Sequence, residues 1–288
     1  MDKIIKSIDG ISFALKSEFD FSWLNEFGRV FAVFDEQDSG NICFGLDDGE
    51  SKYFLKYAGG PTINYHGNTD DTIIRMKKSM SIYEDLEHPN LIKLIKHYSH
   101  REGYLSIYEW AEGDSLHAHW NFEKYPKYTH PDSPNYKFNR LELKHKLQCL
   151  DNIFDLHKFI AGKGYVAIDF YDGSIMYDFN TNKTTICDIE FYHKGPLINT
   201  MGRMWGSSRY MSPEEFEMGA SIDEVTTVFT MGATAFELLG SNSQRDIESW
   251  KASKELFKVA KKATSEDRNQ RYNSMSEFYR EWKKASSL

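Results

Sequence analysis

Long apolar runs are missing from this chain. None approaches the ~18 to 20 residues needed to cross a bilayer, and charges break up every short apolar stretch of the opening MDKIIKSIDGISFALKSEFDF. That opening does not read as a secretory leader, so a cytoplasmic protein without a membrane partner is expected. Cysteine is scarce: Cys43, Cys149 and Cys187 lie far apart, each in an apolar-patterned segment. Their spacing fits no zinc motif and reads as buried free thiols in a reducing compartment. The ten histidines show no paired ligand spacing either, and His88 and His157 read as structural. No basic block is present, and the net charge is -8, so a nucleic-acid partner is not expected. A phosphorylated small ligand stays open, because a local site can oppose the global sign.

What is present is ordinary globular composition, with 40% apolar and 27% charged residues among 288. That length supports one large domain or two lobes. From Gly28 to Ala111 the segments GRVFAVF, NICFGL, SKYFLKYA, LIKLIKHYSH and GYLSIYEWA are short and rich in aromatic and β-branched residues, and read as five antiparallel strands. Between the third and fourth, Ile73, Met76, Met80 and Tyr83 recur at helical spacing, and the helix ends before His88-Pro89. Beyond Gly113 the pattern turns helical. Leu143, Leu147, Leu150 and Phe154 share one face of one helix, and Val225, Val228, Phe229, Phe236 and Leu239 one face of another. SWKASKELFKVAKKA and SMSEFYREWKKA complete the set. The expected class is α+β, with a first lobe over 1–109, its residues 1–20 read as an extension, and a second over 110–288. The proline- and tyrosine-rich stretch NFEKYPKYTHPDSPNYK reads as a loop or lid rather than a regular helix.

Two aspartates attract attention. Asp169 ends the apolar run GYVAI, Asp188 ends TTIC, and a turn-rich gap separates them. Aspartates capping turns after strands are common, but these two stand among further landmarks. In order come Tyr53-Phe54-Leu55-Lys56, His88-Pro89-Asn90-Leu91, Ala167-Ile168-Asp169, Asp188-Ile189-Glu190 and Gly206-Ser207-Ser208-Arg209-Tyr210-Met211-Ser212-Pro213-Glu214. Over residues 28–285 this series resembles the eukaryotic-type serine/threonine protein kinase superfamily: the V-A-I-K strand, the turn after the first helix, the H-R-D catalytic loop, the D-F-G triplet and the activation segment ending in A-P-E.

The resemblance implies a two-lobed kinase-like fold binding ATP and Mg²⁺. Lys56 would hold the α and β phosphates, Asp169 would orient the proton of the incoming hydroxyl, and Asp188 would hold the metal. Nucleotide contacts would come from Gly40, Ile42, Glu109, Ala111 and Ser174, with Ser174 and Glu190 as further metal ligands. Asp223 would begin the central helix, and Arg271 would pair with Glu214. Departures from the pattern are equally specific. Asp35 and Gln37 stand where the loop glycines belong, and Ser79 replaces the helix glutamate that pairs with the lysine. Glu84, five residues later, faces elsewhere at ~100° per residue. Glu190 replaces the glycine of D-F-G, Ile168 the arginine of H-R-D, and Tyr171 the lysine two residues after the catalytic aspartate. Asp172 or Glu190 could lend a carboxylate to the metal, and Lys194 or Arg203 a positive charge to the γ-phosphate. Met201, Met204 and Trp205 are expected to pack under the activation segment, and Ser207 and Ser208 to line a groove beside the substrate. Three functions follow: a kinase acting on a protein hydroxyl, a phosphotransferase acting on a small hydroxylated metabolite or antibiotic, or a pseudokinase serving as a binding scaffold.

Overall fold

The computed structural model describes residues 3–37, 39–240 and 244–287. The protein is α+β, with six α-helices among the described residues and only antiparallel pairing between named strands. It divides into two compact units, one over Met1–Glu87 and Ile92–Ala111, the other over His88–Leu91 and Glu112–Leu288.

The first unit begins with a hairpin, β1 (Ile4–Ile8) and β2 (Ile11–Leu15). Its turn residues Asp9 and Gly10 both have positive φ, 50° and 86°, as a two-residue Asp-Gly hairpin turn requires. The sequence reading set this segment aside as an extension. Here it is part of the core. Phe13 and Leu15 from β2, with Phe21, Trp23 and Leu24 just beyond, pack on Ile42, Phe44, Leu55, Tyr57 and Leu105. Ring centroids lie 5.1 Å apart for Phe21–Phe44 and 5.2 Å for Trp23–Tyr57. Those partners belong to a five-stranded sheet made of β3 (Arg29–Phe34), β4 (Asn41–Asp47), β5 (Lys52–Ala58), β6 (Leu94–His100) and β7 (Gly103–Glu109), in the order β3-β4-β5-β7-β6. Two carboxylates tie the hairpin down: Asp9 accepts from Val30 N at 2.8 Å and Asp35 from Ala14 N at 2.6 Å.

On the other sheet face lies α1 (Thr69–Asp85). Asn68 caps it by accepting from Asp70 N, and Asp70 and Asp71 place negative charge in its first turn, where the helix dipole favours it. Met76, Met80 and Tyr83 are buried, Ser106 Oγ reaches Met76 Sδ at 3.8 Å, and Tyr83 meets Tyr108 edge-on at 5.2 Å. Ile73 is only half-buried.

The second unit opens with β8 (Asp114–Ser115) and continues through α2 (Pro134–Asn139), α3 (Leu143–Gly162), β9 (Tyr165–Val166), β10 (Ile175–Asp178), β11 (Lys183–Ile186), β12 (His193–Lys194), β13 (Leu197–Ile198), β14 (Ser221–Ile222), α4 (Glu224–Leu239), α5 (Lys254–Ala263) and α6 (Met275–Ser286). The short helix α2 lies inside the stretch read as non-helical. Pro134 sits at its first turn, the one place where a helix tolerates proline because that N–H has no intrahelical partner. Along α3 the buried stripe runs through Cys149, Leu150, Ile153, Phe154, His157 and Ile160; Leu143, expected on it, is 40% exposed because it is the helix's first residue, a turn ahead of the packed stretch. Phe154 meets Phe278 and Trp282 of α6 at 4.9 and 5.0 Å. The central helix α4 is buried along most of its length. A Cβ on its Gly232 would stand 2.7 Å from Ala263 Cβ, so glycine is what lets α4 and α5 approach.

No helix among the described residues is long and apolar enough to cross a membrane. Cys43 and Cys149 are buried free thiols as expected, whereas Cys187 is partly exposed.

Candidate active site

Five non-glycine residues among those described have positive φ: Asp9, Arg101, Asn182, Asp169 and Asp188. The first three sit in turns joining adjacent antiparallel strands (β1 to β2, β6 to β7, β10 to β11), where such a conformation is routine. Asp169 (φ 62°) and Asp188 (φ 60°) do not. Asp169 follows β9 and Asp188 follows β11, with the β10–β11 hairpin between them. A left-handed residue outside a hairpin costs ~1–3 kcal/mol and persists only where the surroundings hold it, which is why such residues gather at functional sites.

The surroundings that hold them are specific. Thr227, wholly buried on α4, accepts the Ala167 N–H through its hydroxyl at 3.1 Å and so anchors the loop two residues before Asp169. A Cβ on Gly206, whose φ is 131°, would come within 3.6 Å of Asp169 Cα, so the GSSRYMSPE segment backs directly onto this aspartate. Beside Asp188, the Cys187 N–H donates to the Ser174 carbonyl at 2.9 Å. Both aspartates act on one buried phenol: burial first, then the negative charges of Asp169 and Asp188, push Tyr192 well above its ordinary value. Asp188 is exposed and Asp169 half-buried.

The donor set can be tested for a divalent cation. Ser174 is wholly buried, and its Oγ has no hydrogen-bond partner, an orphaned oxygen next to the Asp188 strand. One carboxylate and one hydroxyl suit Mg²⁺, which keeps several waters and takes phosphate oxygens for the rest of its octahedron. Among the described residues no three His, Cys, Asp or Glu side chains gather in metal-holding geometry, so an Asp188, Glu190 and Asp172 cage is not formed. Glu190 is buried two residues along from Asp188.

Asp172 is engaged elsewhere. Its carboxylate is 2.5 Å from Lys127 Nζ, 3.0 Å from Arg209 Nη2 and 3.3 Å from His117 Nδ1. Burial alone would raise its pKa, but the His117 hydrogen bond and the charges of Lys127 and Arg209 hold it well below the usual carboxylate range. Arg209 also reaches Glu237 at 2.5 Å. Lys127 thereby fastens the segment before α2 onto the loop that carries Asp169, a tie that sequence spacing gave no reason to expect.

The remaining expected positions fall as follows. Lys56 lies in β5 between Cys43 and Ser106 of the flanking strands, on the sheet face that meets α1. Gly40, at φ 80°, is packed against the ring of Tyr65 and the methyl of Thr72. Ile42 is fully buried in the core cluster of the first unit. The Glu109 carboxylate pairs with Lys93 at 2.7 Å, and Ala111 closes that unit. Ser79 is buried and back-bonded to Met76 O, while Glu84 pairs with His97. Arg203 donates to the carbonyls of Met204 and Gly206, and Lys194 lies over the Tyr165 ring. Met204 is buried as expected, but Met201 and Trp205 are 45% and 55% exposed. Asn199 accounts for the turn at Met201: it accepts from Met201 N and donates to Gly202 O and Glu214 O, which directs this loop outward.

At the end of the segment Arg271 grips Glu214 through two bonds of 2.6 and 2.9 Å, with Thr226 Oγ1 donating to the same carboxylate. Its neighbour Glu215 is buried, which pushes that carboxyl up to about 7, although Ser212 N–H and Oγ both donate to it. A raised carboxyl favours the protonated fold. Its stabilising contribution is therefore complete below about 4.5 and lost as pH rises through about 7. Between about pH 4.5 and 7 the parent should lose unfolding free energy, read from urea midpoints, and Glu215→Gln should lose markedly less.

No protein-family model matches this chain, and no curated protein matches it.

Proposed function

We propose that the chain is an ATP- and Mg²⁺-dependent phosphotransferase of two-lobed, kinase-like fold that transfers the γ-phosphoryl group to a protein serine or threonine hydroxyl. The observation that carries this reading is the pair of left-handed aspartates, Asp169 and Asp188, outside any hairpin turn and beside the orphaned Ser174 hydroxyl. Phosphoryl transfer needs positioning and charge neutralisation more than covalent chemistry. Asp169 would orient the acceptor hydroxyl and take its proton. Asp188 and Ser174 would hold Mg²⁺, whose contribution when bound is to neutralise charge on the phosphates. Lys56 would hold the α and β phosphates. A protein acceptor is favoured over a small molecule because the GSSRYMSPE segment lies against Asp169 through Gly206, giving the acceptor a length of backbone to lie beside.

A second reading, a binding module that takes no nucleotide, has its own support. Ser79 supplies no carboxylate on α1, and the sheet face of Lys56 is crowded with rings: Phe31 and Phe54 lie 4.8 and 6.4 Å from Trp110, and the space a Cβ would fill at Gly45 is already occupied by Phe31 and Trp110. Melting with and without ATP and MgCl₂ decides between them. The phosphotransferase reading expects a rise in Tm that needs both and disappears in Lys56→Met, since ligand at ~100 times its Kd adds ~2.7 kcal/mol to the folded state. An unshifted parent would establish the binding module. Radiolabel passing from ATP to small molecules and not to proteins would replace the protein acceptor with a metabolite.

A further inference from the structure

We infer that His157 is a positioning residue that fixes Asp169 and Asp188 relative to one another, by gripping through Tyr192 and Phe170 the two loops that carry them. The inference rests on the functional reading above for its kinetic consequence and on geometry alone for its structural one.

His157 is wholly buried on α3. Its Nδ1 is 2.7 Å from the Ile153 carbonyl, which can only accept, so Nδ1 carries the hydrogen. Burial drives the imidazole down to about 4, which leaves Nε2 bare and able only to accept. The Tyr192 hydroxyl, 2.8 Å away, must therefore donate to it. The phenol proton is committed to α3, and Tyr192 cannot neutralise either aspartate by giving it up.

The grip works in two directions. Toward Asp188, Tyr192 closes a turn by donating its N–H to Ile189 O at 3.1 Å, and Ile189 directly follows the aspartate. Toward Asp169, the imidazole meets Phe170 edge-on at 4.6 Å, and buried Phe170 is the next residue in the chain. One ring thus contacts the residue next to Asp169 and the tyrosine whose amide closes the turn onto Ile189, the residue next to Asp188. Packing alone would be served by leucine; a buried polar pair instead carries a desolvation cost offset only by its hydrogen bond. What the pair adds is a single allowed orientation. Neither side chain touches a reacting atom, so the effect is on spacing, and small displacements of catalytic groups are costly in rate.

The test compares the full-length parent with Tyr192→Phe, His157→Leu and His157→Gln, the last retaining an acceptor for the tyrosine. Tyr192→Phe and His157→Leu should lower kcat about 10- to 100-fold while KM for ATP stays within about 2-fold, and His157→Gln should recover most of the loss. Hydrogen exchange supplies the arm independent of activity: in Tyr192→Phe the amides of 167–170 and of 188–192 should both exchange faster, with α6 unchanged. An unaltered kcat in an active Tyr192→Phe, or faster exchange in neither loop or only one, would overturn the inference. A parent that transfers no phosphate would remove the functional reading instead, leaving exchange to decide the positioning role.

Discussion

On the proposed phosphotransferase function, exchanging Asp169 for asparagine should lower phosphoryl transfer by about 10²- to 10⁴-fold, the span that positioned general bases contribute, with KM for ATP little changed. The substitution separates chemistry from architecture. Asparagine tolerates the left-handed region nearly as well as aspartate does, so the φ of 62° is kept, and neither the Ala167 to Thr227 bond nor the Gly206 contact involves the carboxylate. What disappears is one negative charge and one proton acceptor. Labelled-phosphate transfer at saturating ATP is the measurement, and a variant retaining a third or more of the parent's rate would show that Asp169 accepts no proton.

Replacing Arg271 with methionine should cost about 3–5 kcal/mol of stability, the usual penalty for stranding one partner of a buried ion pair. The guanidinium is fully buried and holds Glu214 bidentately, and its Nε also donates to Ser265 O at 2.7 Å. Without it, the Glu214 carboxylate would face the interior with the Thr226 hydroxyl and the more distant Arg268 guanidinium at 3.8 Å. Burial, the largest influence, raises that carboxyl, but the Arg271 hydrogen bond and charge, a backbone N–H and the Thr226 hydroxyl together outweigh it, so its pKa is lowered overall. The pair's stabilisation is therefore present above the usual carboxylate range and lost as pH falls through the lowered value. Urea unfolding at neutral pH should show the full loss in Arg271→Met, and adding Glu214→Gln should return part of it. Equal stability of parent and single variant would mean the pair contributes nothing net.

The sequence located both aspartates because each ends an apolar run and the run between them is a hairpin, a pattern written locally in residue type. The Glu214 to Arg271 pair was legible too, though its members stand 57 positions apart in the chain. Other parts were not. Asp223 begins the central helix as expected, capping α4 and binding Arg268 at 2.7 Å, but nothing in the sequence pointed to Thr227 as the residue that anchors Ala167. Lys127 and Asp172 come together across a loop of irregular backbone, for which no periodicity exists to be read. The first hairpin was legible in principle: IIKSIDGISFAL carries Asp-Gly between alternating apolar residues, and only its position ahead of the expected first strand kept it out of the fold. His157 looked structural because a lone histidine on an apolar face carries no signal of which loops it will touch.

That hairpin sets where the protein can be shortened. A chain begun at Gly28 would leave Phe44, Leu55 and Tyr57 of the sheet without the aromatic lid that Phe13, Phe21 and Trp23 form over them, turning an inner surface into a sticky outer one. Asp35, relieved of the Ala14 amide, would also be released at the foot of the turn between β3 and β4. The opening 27 residues are thus inseparable from whatever that turn does.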